Sequence, residues 1–434
     1  MMNEKLKRLL ENKKNITAIA LVLGCFVFIG SLLPEELTLQ RWVAAFFAAN
    51  ALVAMALAFV LSTRLEILET IFRGLDRVYK VHRWAGMWAV FSIFMHWWLV
   101  PQSNAPRDDS SLMEIGSDTG EWATWLLLGL VVISFMRILP YHLWKWSHRL
   151  MGLVFFISVF HYLFAIRPFQ LFSPAGIAMN LTSIVGFVAW WYYAFSKSTS
   201  KHHLAKVQNV KKENGVVSFE AKPIQGRPSW NAGQFAFISV LHHQKIGGEP
   251  HPFTIASSDH QGIPRFSVAG LGDYTKTLFD HLSNGDMLRL DLPYGRFKLN
   301  RQPSPQVWMG SGIGITPFVA WLQELNETSL SRSTSCPNVV LYYLVKNADA
   351  AIFAEELQQL TENLPTVSLK VIFSAEGRIT PDRIADDLNG NVERAELYFC
   401  GNPEVRKMMQ EGLEALGMPK NNTHYELFDF RGAI

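Results

Sequence analysis

The chain's 434 residues suffice for two or three domains, and a net charge of +3, from 40 basic and 37 acidic side chains, argues against a nucleic-acid partner. Of its 3 cysteines, Cys25 falls in an apolar segment and Cys336 and Cys400 in the half read below as cytoplasmic, so no disulfide framework is expected. Apolar residues crowd into roughly the first 200 positions, so a membrane-embedded half is expected ahead of a polar one.

Six apolar segments fill the first half: residues 16–33, 42–61, 81–100, 122–139, 148–166 and 175–195. Each approaches the ~20 residues that a helix needs to cross hydrocarbon. Tryptophans such as Trp42, Trp98, Trp122 and Trp191 fall near the segment ends, as interfacial residues do. Lys5, Lys7, Arg8, Lys13 and Lys14 precede the first span, Arg64, Arg73, Arg77 and Lys80 follow the second, and Arg137, Lys145 and Arg149 flank the loop after the fourth. The opposite loops hold Arg41, Arg107 and Arg167 among Glu35, Glu36, Asp108, Asp109 and Glu114. This bias predicts a multi-pass protein of the inner (plasma) membrane with both termini in the cytoplasm. The first span is long and no small-residue cleavage site follows it, so it is expected to be retained.

Four histidines lie in these spans: His82 and His96, 14 residues apart on the third, and His148 and His161, 13 apart on the fifth. At about 1.5 Å per residue the members of a pair stand about 20 Å apart, most of the hydrocarbon thickness. Fourteen residues is close to four turns, and thirteen leaves the second pair within about 60° of one another, so each pair shares a helix face. Two such helices side by side present facing imidazoles at two depths, His82 with His148 toward the cytoplasm and His96 with His161 toward the outside. Facing imidazoles are the axial ligand set of a six-coordinate b-type haem, so two haems are expected. A lone buried histidine is often a hydrogen-bonded structural residue. Ionisable groups in hydrocarbon are costly, however, and a pattern repeated on two helices weakens that reading. His142 is a rival to His148, but its 19-residue distance to His161 overshoots the other pair. His202, His203, His242 and His243 sit in polar contexts and are read as solvated.

The polar half begins near residue 201, after the stretch 196–200. Short alternating runs at 216–221, 234–240, 265–269 and 287–291 are separated by turns such as Asn214-Gly215 and Asn284-Gly285. That pattern predicts a small antiparallel barrel over residues 201–302. Beyond it, strands at 307–309, 339–345, 368–373 and 397–400 alternate with helical segments at 317–325, 353–360 and 405–416. Residues 303–434 are therefore expected to form an α/β sheet of the dinucleotide-binding kind.

Three motifs lie on these predicted elements. His251-Pro252-Phe253-Thr254 is followed by Ser257. Gly272-Asp273-Tyr274-Thr275 leads into a helix-like stretch whose first N–H groups suit a pyrophosphate. Gly310-Ser311-Gly312-Ile313-Gly314-Ile315-Thr316-Pro317 follows a strand, and its glycines let a phosphate approach the main chain at a helix N-terminus. A glycine-rich turn alone is a weak signal; all three motifs in order are a stronger one.

The barrel and sheet resemble the ferredoxin–NADP reductase family, and the whole chain resembles the NADPH oxidase and ferric reductase superfamily. The likeness is carried by the paired histidines, His-Pro-Phe-Thr, Gly-Asp-Tyr-Thr, the glycine-rich turn and Cys400-Gly401. It implies a six-helix transmembrane haem domain over residues 1–200, then an FAD-binding antiparallel β-barrel and a Rossmann-like NAD(P) domain. It further implies that His251, Phe253, Thr254 and Thr275 contact FAD, with Pro252, Ser257, Gly272 and Tyr274 of the same motifs. Gly310, Gly312, Gly314, Thr316 and Pro317 would line the site for NADPH or NADH, with Cys400 and Gly401 beside the nicotinamide. An inert buried thiol is the alternative for Cys400. Family members often end on an aromatic residue stacked on the flavin. Phe428 matches it, Phe430 is its rival, and a place in a strand core is the alternative for both.

Two departures concern the outer face. Arg41 matches the location of a basic residue that oxygen-reducing relatives hold near the outer haem, although an interfacial arginine also snorkels at such a place. Val100 stands where those relatives carry a further polar residue. In the nucleotide domain, Lys346 and Arg378 are candidates to meet a 2′-phosphate, or are ordinary surface charges.

NAD(P)H delivers two electrons as hydride whereas a haem takes one at a time, so a flavin must stand between them. The expected path runs from NAD(P)H through FAD, the inner haem and the outer haem. A cytoplasm-negative potential favours it by about 2.3 kcal/mol per charge per 100 mV. With both axial positions filled, the acceptor, oxygen giving superoxide or a ferric chelate, takes its electron at the haem edge. Two other classes compete: an electron donor to a periplasmic protein or quinone, and a proton or ion pathway using the same histidines without haem.

Overall fold

The computed structural model describes residues 24–72, 74–100, 112–135, 141–195, 202–331 and 337–426. Phe428, Phe430, Cys336, Arg107 and the N-terminal basic cluster lie outside the described residues, as do residues 16–23 of the first predicted span. The chain divides into two compact units, Met1–Lys197 and Ser198–Ile434.

The first unit is helical. Its long elements are Leu39–Ser62, Leu75–Leu99, Leu112–Phe135, Tyr141–Arg149 continuing past Leu150 as Met151–Phe164, and Pro174–Phe195. A shorter helix covers 24–31. By length and composition, 3 stretches among the described residues are apolar enough to cross a membrane: Leu39–Ser62, Leu143–Phe164 and Pro174–Phe195. Leu75–Leu99 and Leu112–Phe135 are long enough, at 25 and 24 residues, but carry more polar load. Arg83 with His82 and His96 lowers the hydropathy of one, Asp118 with Glu121 that of the other.

Leu75–Leu99, Leu112–Phe135 and Tyr141–Arg149 start well before the apolar segments predict. Asp76 and Glu114 explain two of them, because an acid in the first turn complements the positive end of the helix dipole and lengthens a helix into polar sequence. Leu39–Ser62 packs against Leu75–Leu99 and Pro174–Phe195, while Leu112–Phe135 packs on Met151–Phe164. Small residues fill these contacts. Along Pro174–Phe195 the buried side includes Ala175, Gly176, Ser183, Gly186 and Ala189, whereas Ile177, Leu181, Ile184, Val185 and Val188 point outward. That polarity suits a helix whose outer face meets lipid.

The second unit holds two sheets. Strands β1 (His202–Glu213), β2 (Val216–Pro223), β3 (Phe235–Leu241), β4 (His251–Thr254), β5 (Arg265–Ala269) and β6 (Met287–Tyr294) form an antiparallel sheet in the order β4-β3-β6-β1-β2-β5. A bridge between Ile255 and Phe266 and a hydrogen bond from Ala256 N–H to the Arg265 carbonyl at 2.7 Å draw its ends together into a barrel. Phe219, Ile238, Phe266 and Leu290 fill it.

The sequence reading misses β1. Its alternation is broken by a register shift between Gln208 and Lys211, with Asn209 at a φ of 56°. That strand also corrects the reading of His202 and His203 as solvated. Both are half-buried in β1, and His202 Nε2 stands 3.7 Å from the Asp291 carboxylate.

The second sheet is parallel: β7 (Gln306–Ser311), β8 (Val339–Val345), β9 (Val367–Phe373), β10 (Glu396–Cys400) and β11 (Thr423–Glu426), in the order β11-β10-β7-β8-β9. Both faces are covered, so Trp308 packs on one side with Phe318 and Trp321, while Val307 and Met309 pack on the other with Tyr342 and Phe399. From β7 the chain runs to β8 on one side, and β10 is added on the other. The crevice between the C-terminal ends of β7 and β10 is therefore the switch point where open α/β sheets bind ligands.

Candidate functional site

In the helical unit the structure brings together the histidines that the sequence pairs. The His82 and His148 ring centroids stand 6.1 Å apart and those of His96 and His161 6.2 Å apart, with ring planes crossed at 63° and 67°. The fifth helix starts earlier than expected, yet the ring facing His82 is that of His148. Two metal–imidazole bonds of about 2 Å, plus about 1.1 Å from each nitrogen to its ring centre, would place the centroids about 6.2 Å apart. Both pairs have that separation, and a shared ligand axis permits any angle between the planes.

The second ring nitrogens strengthen the fit. Nδ1 of His82 lies 2.9 Å from the Ala58 carbonyl, Nδ1 of His96 lies 3.0 Å from that of Ala44, and Nδ1 of His161 lies 2.8 Å from that of Gly116. An Nδ1–H that donates to a carbonyl fixes the tautomer and leaves the Nε2 lone pair for a metal. Ala44 and Ala58 are 14 residues apart, the same interval as His96 and His82, so one helix supplies both carbonyls from one face. Nothing in the sequence announces these carbonyl partners. His148 differs: its Nδ1 is buried without a partner, and its ring stacks on Trp144 at 5.2 Å. Close approach at the His96–His161 pair depends on Gly120, where a Cβ would stand 2.6 Å from the His161 ring.

On the barrel, β3 and β4 pair so that Phe235 faces Thr254 and Ala236 faces Phe253. The His251 ring lies flat on Tyr274 at 3.6 Å between centroids, which joins the His-Pro-Phe-Thr and Gly-Asp-Tyr-Thr motifs in one place. Burial, and after it the Glu249 carboxylate, pushes the Tyr274 phenol well above its usual range, so it stays protonated. Its hydroxyl is buried with no partner, a polar atom awaiting one. Gly272 begins the helix Asp273–His281, and its N–H donates to the Thr275 hydroxyl at 2.9 Å. Ser257 serves the barrel itself, since its hydroxyl accepts from Arg265 N–H at 3.0 Å.

The glycine-rich turn divides by role. Gly310 ends β7 against Ile315, and a Cβ on Gly314 would stand 2.3 Å from the Cys400 carbonyl oxygen. Gly401, at a φ of 139°, lies as close to Ser311. These glycines let β7 and β10 approach each other. Gly312 and Gly272, in contrast, have nothing within 4 Å of a Cβ position, so theirs are the main-chain stretches open to a phosphate. Thr316 and Pro317 begin the helix Thr316–Ser331, and the Thr316 hydroxyl donates to the Ile313 carbonyl at 3.1 Å.

Cys400 ends β10 fully buried, and burial, then Glu426, pushes its thiol up. Glu426 stands opposite Cys400 in the β10–β11 register, beside the Gly295 turn. The sequence reading passes over this carboxylate, having taken Glu426-Leu427-Phe428 for its aromatic residue alone. Arg41 is exposed at the start of Leu39–Ser62, where its N–H donates to the Thr38 hydroxyl at 3.4 Å.

Comparison with known proteins agrees with this division. Residues 47–159 match the ferric reductase like transmembrane component, and residues 199–310 match an FAD-binding domain. A flavohemoprotein of Bacillus thuringiensis is 27% identical over 243 residues, covering 51% of this chain and 59% of the relative. The ferredoxin reductase component of a 3-ketosteroid-9-alpha-monooxygenase from Rhodococcus rhodochrous is 26% identical over 231 residues, covering 52% of this chain and 63% of the relative. Among solved structures, the flavohem-like FAD/NAD-binding domain of a Vibrio cholerae nitric oxide dioxygenase covers 52% of this chain and 97% of its own, at 23% identity and a TM-score of 0.44. The chain thus spans about 60% of the curated relatives it matches. It joins a ferric-reductase-like transmembrane component to an FAD-binding domain, and that is the architecture of the NADPH oxidase and ferric reductase superfamily.

Proposed function

We propose that the chain carries electrons from cytoplasmic NAD(P)H, through FAD and two b-type haems, to oxygen or a ferric chelate on the far side of the plasma membrane. The observation that carries this reading is the pair of crossed imidazoles repeated at 6.1 and 6.2 Å. Two side chains are fewer than the three or four protein ligands that a zinc site takes, whereas a porphyrin, bringing four nitrogens of its own, would ask the protein for two. Among the described residues no group of three or more His, Cys, Asp or Glu converges, so the pairs stand as two-ligand sites.

A flavin takes two electrons as hydride and releases them singly, which is the conversion that a nicotinamide donor and an iron acceptor require. The chain's own residues supply placement. Phe253 and Thr254, held by β3, and the His251–Tyr274 stack would border the flavin, with the first turn after Gly272 receiving pyrophosphate. Gly312 at the switch point would receive the nicotinamide dinucleotide, with Cys400, Gly401 and Glu426 beside its reactive end. Lys346 and Arg378 are exposed on the loops that follow β8 and β9, at the same edge of the sheet. They favour NADPH through its 2′-phosphate.

Anaerobic addition of NADPH to the purified, FAD-loaded protein tests this. Reduction of bis-imidazole haem bands is expected, followed by fast reoxidation on admitting either oxygen, with dismutase-sensitive cytochrome c reduction, or a ferric chelate. A protein with no haem bands sinks the proposal. Reoxidation by quinone alone moves the acceptor into the membrane.

A further inference from the structure

On the barrel, β1 and β2 pair so that Lys206 lies directly opposite Lys222. Like charges at directly opposed positions repel, and an antiparallel pair ordinarily avoids them. No carboxylate among the described residues forms an ion pair with either lysine. The nearest acid along the ladder is Glu220, and its carboxylate is already held at 2.8 Å by both Gln208 Nε2 and Asn209 Nδ2. The two lysines border an open groove of about 450 Å³ with Gln208, Asn284 and Gly285, a concavity lined by positive charge and amide groups.

The same face carries a second feature. Leu204 and Ile224, joined by a hydrogen bond from Ile224 N–H to the Leu204 carbonyl at 2.8 Å, are 50% and 52% exposed. They lie two residues from Lys206 and Lys222 on the respective strands, so two aliphatic side chains and two ammonium groups share one surface. β1 begins seven residues after Phe195, the end of the last apolar helix, and that much extended chain reaches at most about 25 Å. A surface with aliphatic tips backed by lysines, tethered this closely to a membrane helix, matches a bilayer interface: the tips enter the headgroup layer and the ammonium groups meet phosphates.

We propose that Leu204, Lys206, Lys222 and Ile224 form a docking surface for an anionic phospholipid bilayer. The surface holds the reductase unit against the membrane independently of the covalent tether. The inference rests on the membrane setting of the helical unit and not on the identity of the electron acceptor.

The test uses the full chain in nanodiscs of phosphatidylcholine alone or mixed with phosphatidylglycerol, read by hydrogen–deuterium exchange over residues 202–208 and 220–226. Slower exchange in the anionic discs is expected, lost at high salt and in the Lys206→Glu/Lys222→Glu variant, with protection falling roughly fivefold per lysine removed. A Leu204→Ser/Ile224→Ser variant should weaken protection while keeping its salt dependence. Equal exchange in both discs overturns the proposal with no variant needed. Protection by inorganic phosphate in neutral discs, with no lipid dependence, overturns the bilayer as the source and leaves a free-anion site. None of these readouts depends on haem or on turnover, so they fail or succeed separately from the proposed electron path.

Discussion

Along the helix Pro174–Phe195 the buried residues are Ala175, Gly176, Met179, Ser183, Gly186 and Ala189. In the helix Thr316–Ser331 they include Phe318, Val319, Trp321, Leu322 and Leu325, all at 0% exposure. The two units solve opposite problems. In lipid, large apolar side chains gain nothing by turning inward, so helices approach through small residues and the interior is left for groups that need shielding, here four imidazoles. In water, burial of large side chains drives the fold, and the site is left to main chain at the edge of a well-packed sheet. On the proposed reading the membrane unit accordingly presents its chemistry on side chains, and the second unit largely on backbone.

The contrast breaks most visibly by deleting an imidazole. His161→Ala removes one ring from the His96–His161 pair and leaves the His82–His148 pair untouched, so on the proposed reading haem content is expected to fall from two per chain to one. A pyridine haemochromogen assay reads it directly, and His82→Ala should give the same stoichiometry with loss of the other haem. Retention of two haems by either variant means that the paired rings are not the ligands.

The next effect lies in the soluble unit. Gly314→Ala places a methyl group 2.3 Å from the Cys400 carbonyl oxygen and 2.9 Å from Gly401 Cα, both main-chain atoms that cannot step aside. Overpacking of this kind costs about 1–3 kcal/mol and separates β7 from β10, so NAD(P)H oxidation should fall at least tenfold while the haem spectrum stays intact. Thr316→Ala, which removes a side chain from the same turn, should cost much less. If the threonine variant loses as much as the glycine variant, the site is not a backbone site.

How far each site was legible in the sequence follows from the same division. The four histidines declare both themselves and their pairing, because helical periodicity converts spacing directly into depth and face. Their carbonyl partners Ala44, Ala58 and Gly116 are invisible, since every residue owns a carbonyl and only packing selects one. Strand β8 is predicted to the residue by its run of apolar and aromatic residues, whereas β1 is hidden by a bulge and by its lysines. The glycine turn is recognisable, but not which glycines admit a ligand and which admit a neighbouring strand. That distinction appears only once Gly314 and Cys400 are brought together by a fold spanning more than eighty residues.

A subtler test compares two glycines of one membrane helix. Gly120→Ala drives a methyl group into the His161 ring, 2.6 Å away, and should tilt that imidazole and shift the potential and spectrum of one haem only. Gly129→Ala, with nothing within 4 Å, should leave both haems unchanged and stabilise the helix by up to about 1 kcal/mol. A redox titration of both variants separates them. Matching behaviour would mean that close approach at Gly120 does not position the ring.

The smallest expected effect is an acid dependence confined to the soluble unit. Burial pushes the Glu396 carboxyl up, but hydrogen bonds from His424, Tyr398 and Ser304 outweigh it and bring the group down from an ordinary value near 4.5 to about 2. The Tyr398 hydroxyl donates to it at 2.6 Å, the Ser304 hydroxyl donates at 3.0 Å, and His424 Nε2 lies 3.2 Å away. A carboxylate with a lowered folded value contributes stability that is complete above its unfolded value and is lost as pH falls toward the folded one. The window therefore runs from about 4.5 down to about 2. Because β11 is joined to β10 at this point and carries Glu426 at its other end, its loosening should release the edge nearest Cys400 before the rest of the sheet. Glu396→Gln keeps the shape and removes the titration, so its unfolding midpoint should be lower at neutral pH but nearly flat across that window, where the parent's declines. Parallel slopes for the two proteins would place the acid sensitivity elsewhere in the soluble unit.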